Sequence, residues 1–218
     1  MKTTRIIPWL LATPLVLMLA GCETPPYDYT SFRAHPPRSI LVLPPLNEST
    51  DIRATYGYLS TVTLPAAERG YYVFPVAVID IVMKENGLPT AWEMQQVDLK
   101  KIDEVIGADA VLYITVKEYG TKYRIVDSDT VVQAEGKLVD VKTGILLWEG
   151  KGRLEKSSSE GSNNGLYDLI AAIINQIASS KTDQAHQLSW VVNYQMLTTK
   201  DHGLLPGPYL PPTAEEPE

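Results

Sequence analysis

The residue best suited to covalent chemistry is Cys22, the single cysteine in 218 residues. One thiol cannot close an intrachain disulfide, but its thiolate is a strong nucleophile. Other reactive types are sparse. His35, His186 and His202 include no pair at metal-ligand spacing, and there is no HExxH, GxSxG or P-loop. Asp127 and Asp129 form a short acidic pair without the EF-hand spacing that would follow; a solvated turn is expected there. Trp92 and Trp148 are expected to anchor the core or a helix–sheet contact, with a ligand platform as the alternative. The pattern points to a chain that is not an enzyme and uses no cofactor or metal.

What surrounds Cys22 defines its use. Lys2 and Arg5 precede a mostly apolar run from Ile6 to Ala20, broken by Pro8 and Pro14. The run is too short to span a bilayer, which takes about 20 residues, and it reads as an export signal. Its exit, Leu19-Ala20-Gly21-Cys22, resembles the lipobox of bacterial lipoproteins. That resemblance implies cleavage between Gly21 and Cys22, a diacylglycerol thioether on Cys22 and N-acylation of the new terminus. Two or more acyl chains anchor stably in a bilayer. Glu23 stands where an aspartate favours inner-membrane retention in enteric lipoproteins. An outer-membrane, periplasm-facing location is therefore expected.

The charge balance agrees with attachment by lipid alone. The full chain carries −7; losing Lys2 and Arg5 with the signal makes it about −9. Such a chain lacks the broad basic surface that nucleic acid demands. Residues 22–38, with Pro25, Pro26, Pro36 and Pro37, read as an extended tether. The tail over 201–218, Pro-rich and acidic, is likewise expected to be extended.

Between them, residues 39–200 read as one α/β domain. Ser39–Pro44 reads as a buried strand, a helix follows from about Ile52 to Arg69, and Tyr71–Pro75 reads as a second strand. A helical crossover permits these two to pair in parallel. Ile79, Val82 and Met83 mark a helix over Val76–Asn86. Thr90 and Glu93 fit a capping box. Asp98 caps a helix whose apolar face is Leu99, Ile102, Val105 and Ile106. Strands are expected from Gly107, around Val132–Leu138 and around Leu146–Leu154, with a tight turn over Asp140–Gly144. A loop over 156–165 precedes an apolar stripe from Leu166 to Ile177, expected to form a long helix continuing towards Tyr194. The fold class is α/β: a mixed sheet of about five strands packed by helices, with a long C-terminal helix.

The segments ILVLPPLNEST, ATYGYLSTVT, RGYYVFPV, KENGLPT, GADAVLYITV and LVDVKTGILLWEG resemble a bacterial lipoprotein family of unknown function typified by a neisserial surface-antigen lipoprotein. The resemblance implies a fold like the N-terminal domain of TolB and the periplasmic domain of CsgG. It also implies an accessory role in an envelope transport or secretion assembly, with a CsgG-like protein as partner type and a homodimer left open. The alternative expectation is an envelope lipoprotein that carries a small molecule or a cell-wall fragment, in a pocket lined by tyrosines or by Trp92 and Trp148.

Overall fold

A computed structural model describes residues 27–123, 128–157 and 184–211. Cys22, the apolar stripe of Leu166–Ile177 and Asp127 lie outside the described residues. Within them, a mixed sheet is packed by helices on both faces. The elements run α1 (Thr30–Ala34), β1 (Ser39–Val42), β2 (Leu46–Asn47), α2 (Ala54–Glu68), β3 (Tyr72–Val73), α3 (Val76–Glu85), α4 (Ala91–Gln95) and α5 (Leu99–Val105). They continue with β4 (Ala110–Tyr123), β5 (Ser128–Asp140), β6 (Leu146–Ser157) and the C-terminal helix α6 (Gln184–Thr198).

The strand order is β3-β1-β4-β5-β6. β1 pairs in parallel with both β3 and β4, while β4, β5 and β6 form an antiparallel meander. The crossover through α2 joins β1 and β3 in a parallel pair, which the sequence pattern permits. Pro44 and Pro45 have no amide N–H to give the ladder, so β1 stops and, after three intervening residues, the chain rejoins β4 as β2. Gln95 compensates at the break. Its side-chain amide donates to the carbonyls of Pro44 (2.9 Å) and Ile114 (3.1 Å). The sheet therefore has six strands rather than about five, the extra one being the two-residue β2.

Two apolar clusters sit on opposite faces of the sheet. One is built from α2 and α6 against β1 and β4–β6, the other from α3, α4 and α5 against Leu41, Leu43, Val111 and Val141. Glycines shape the first. A Cβ at Gly150 would overlap the Trp148 ring, and one at Gly152 would press on Val192 of α6. These strand glycines leave a flat floor on which Trp148 lies fully buried and α6 approaches closely.

Local signals account for most boundaries. The capping box forms as expected, Thr90 accepting from the Glu93 amide and Glu93 from the Thr90 amide. Asp98 accepts from the Lys100 amide at 2.8 Å. At the β5–β6 turn, Asp140 accepts from the amide and hydroxyl of Thr143, and Gly144 takes φ 72°. α2 runs on through Pro65.

Three expectations change. Residues 22–38 are not all extended tether: from Tyr27 onward they pack on the domain, with α1 formed and Tyr29 and Phe32 buried. The tail is likewise packed at its start, where Leu204 is fully buried. Asp129 is not in a solvated turn. It is a buried residue of β5, in register with Lys122 and Ser157.

Candidate functional site

The three histidines do not come together. His35 caps the end of α1, His186 lies on α6 with Nε2 3.0 Å from the Ser60 hydroxyl, and His202 is exposed beside the Tyr27 ring. Among the described residues, no three His, Cys, Asp or Glu side chains are grouped to hold a metal. No described helix is long and apolar enough to cross a membrane.

A surface for binding lies elsewhere. Between α3, α4 and α5 runs an open groove of about 690 Å³. Val82, Leu88, Trp92, Val97 and Val105 line it above the buried Met83 and Ile102. Trp92 is 64% exposed and Val105 75%. The neighbouring Val78 and Ile81 on α3 are more than half exposed. Large exposed apolar side chains such as Trp92 and Val105 lining one groove are a candidate interaction surface. The groove's polar edge comes from Asn86, Gln96, Asp98 and Lys101.

The fold explains why this surface is open. α3 to α5 form a single thin layer of short helices, and nothing among the described residues packs on its outer side. α5 buries Ile102 and half-buries Leu99 and Ile106, but its turn carries Val105 outward. The sequence pattern places Val105 on the same apolar face, and has Trp92 anchoring the core or a helix–sheet contact, with a ligand platform as the alternative. Val105 instead points outward and Trp92 is exposed rather than in the core, and both line the groove. Trp148 does meet the core expectation; it lies fully buried in the cluster on the other face, so the two tryptophans share no pocket.

The tyrosines also divide. Tyr58, Tyr71 and Tyr119 are core residues, whereas Tyr56, Tyr72 and Tyr194 are about half exposed. Burial pushes the Tyr58 and Tyr71 hydroxyls well above the usual phenol range. None of them lines the groove.

A second constellation was not visible in the sequence pattern. The chain's two described ends meet at the end of the domain where α2 and α6 finish. Four successive carbonyls, at residues 202 to 205, each accept a hydrogen bond from a different side chain. Trp148 Nε1 donates to His202 at 2.7 Å, and the Tyr29 hydroxyl to Gly203 at 2.5 Å. The Arg69 guanidinium donates to Leu204 and the Tyr71 hydroxyl to Leu205. The signal that could have flagged it is compositional. A segment with Pro206, Pro208 and Pro211 offers few amides of its own, and buried carbonyls need donors from elsewhere.

Comparisons with known proteins fall on this same chain length. Residues 27–209 match the family described as "Putative lipoprotein GNA1162-like". The lipoprotein NMB1124/NMB1162 of Neisseria meningitidis serogroup B is 44% identical over 205 residues, covering 92% of this chain and 95% of that protein. The crystal structure of lipoprotein GNA1162 from Neisseria meningitidis is 46% identical, with a TM-score of 0.56, over 66% of this chain and all of that one. The PelC dodecamer of Paraburkholderia phytofirmans is 14% identical with a TM-score of 0.47, over 76% of this chain and 88% of that one, too distant to carry anything further. The chain belongs to the GNA1162-like lipoprotein family.

Proposed function

We propose that this protein is a lipid-anchored, periplasm-facing accessory lipoprotein of the outer membrane. In this reading it works by binding a protein partner in an envelope transport or secretion assembly. The observation that carries the proposal is the open apolar groove of α3–α5, with Trp92 and Val105 exposed on it. Tryptophan is among the residue types enriched at binding hot spots. Membership of a lipoprotein family and the Leu19–Cys22 motif support the anchor on Cys22, with the signal ending at Gly21. The TolB-like and CsgG-like aspects rest on the sequence resemblance, which supports an envelope protein as the partner type.

The packing of Tyr27 shortens the leash. Tyr27 lies five residue steps from Cys22, a reach of at most about 18 Å fully extended, where a tether ending at Arg38 would reach roughly three times as far. The domain is thus held against the membrane surface, and its partner is one that works there.

A second reading, an envelope carrier of a small molecule or cell-wall fragment, draws on the groove's volume, which falls within the range of ligand sites. Its open, one-sided shape favours a protein surface. The test is co-purification of the full lipidated protein from native membranes. Trp92→Ser with Val105→Ser is expected to reduce recovery of the principal partner about tenfold or more, with membrane location unchanged. Undiminished recovery would overturn the assignment of this face.

A further inference from the structure

We propose that the two ends of the described chain form one cooperative clasp, which couples the tether to the C-terminal tail. The clasp has three strands of support. The N-terminal part is an aromatic cluster: Tyr29 packs on Tyr27 (ring centroids 4.7 Å) and edge-on against Phe32 (6.3 Å). The C-terminal part is the segment from His202 to Leu210. The fixed part is Trp148 and Glu149 of β6 with Arg69, Gly70 and Tyr71.

The N-terminal cluster touches both of the others. The Tyr29 hydroxyl holds the Gly203 carbonyl, and the Tyr27 ring lies edge-on to His202 at 6.3 Å. The Tyr27 hydroxyl accepts the Glu149 amide at 2.8 Å, closing one site on the outer edge of β6. On the far side, the Gly207 amide donates to the Arg69 carbonyl and the Tyr209 amide to the Gly70 carbonyl. There the backbones run so close that a Cβ at Gly70 or Gly207 would collide with the other strand, and Gly70 takes φ 86°. Arg38 reaches the Tyr209 ring and hydroxyl from the N-terminal side.

Each end thus satisfies groups that the other leaves open. Loss of the N-terminal cluster removes the Gly203 donor and the ring that lies against His202, so the segment through Leu210 loosens with it. Coupling of this kind is reciprocal, and it belongs to local opening rather than to global unfolding. Displacement at Tyr27, where the tether enters, is transmitted to the tail that leaves after Pro211, while the sheet stays intact.

Amide hydrogen exchange on the full mature protein tests this in both directions. Tyr29→Phe with Phe32→Ala is expected to speed exchange at Gly207 and Tyr209 by about tenfold or more, with Val111 and Leu112 unchanged. Arg69→Ala, made on the other side, is expected to speed exchange at Arg33 and His35, whose amides close α1. If the double variant does not fold, Tyr27→Phe and Tyr29→Phe, which remove only hydroxyls, carry the same comparison with a few-fold change expected. Parental exchange at Gly207 and Tyr209 in a folded Tyr29 variant would overturn the proposal.

Discussion

Replacing Cys22 by serine is expected to abolish lipid attachment and delivery to the outer membrane. The product should accumulate with its signal uncut and fail to partition with the outer membrane, as read by mass spectrometry and membrane flotation. The reason is chemical first. A hydroxyl is a far weaker nucleophile than a thiolate near neutral pH, so the thioether to diacylglycerol cannot form. The energetic consequence follows. Acyl chains contribute about 0.8 kcal/mol per buried CH₂, so two or three chains dominate every other membrane contact available to this chain. The formal charge of −7 gives no electrostatic substitute on an anionic lipid surface. A Cys22→Ser protein that is still cut at the same junction and still partitions with the outer membrane would remove the lipid anchor from the account.

The largest effect on folding is expected at Gly150. Valine there would force side-chain atoms into the Trp148 ring, which is fully buried and held through Nε1 by the His202 carbonyl. The ring is fully buried and tied at Nε1, so moving it relieves little of the clash. Overpacking a close-packed core costs about 1–3 kcal/mol, occasionally more. Here the upper end is expected, because the clash falls on a rigid aromatic. A loss of about 3 kcal/mol lowers the melting temperature by roughly 6–12 °C for a domain of this size. Thermal unfolding by circular dichroism checks it, and a melting temperature within a degree or two of the parent would contradict the role assigned to the glycine floor. Gly150→Ala should fall between the two.

Much of the α/β domain is readable from local chemistry. Prolines 44 and 45 end β1 because they lack amides, Thr90 and Asp98 start helices because their oxygens accept orphan N–H groups, and Asp140–Gly144 turns a hairpin. These are short-range effects, and the residues that cause them are neighbours. Tyr27, Tyr29 and Phe32 are different. They sit in a Pro-rich stretch without periodicity, and what orders them is a set of groups more than 100 residues away in sequence. No local pattern encodes such partners. The groove fails for another reason. Periodicity says which residues of α5 share a face, but not whether a further layer exists to cover that face. Val105 and Trp92 are apolar in the pattern and exposed in the fold, because among the described residues nothing packs over them.

The central claim is that the α3–α5 face meets a protein partner at the membrane. Photo-cross-linking in intact cells tests it most directly, with the cross-linking residue placed at Trp92 or Val105, and as controls at Lys137 and Lys151 on the charged, open face of β5 and β6. The account predicts one dominant adduct from the first two positions and none from the controls, its mass distinguishing an envelope protein from a second copy of this chain. Adducts from Lys137 and Lys151 with none from Trp92 and Val105, in cells where the protein is membrane-bound, would contradict it.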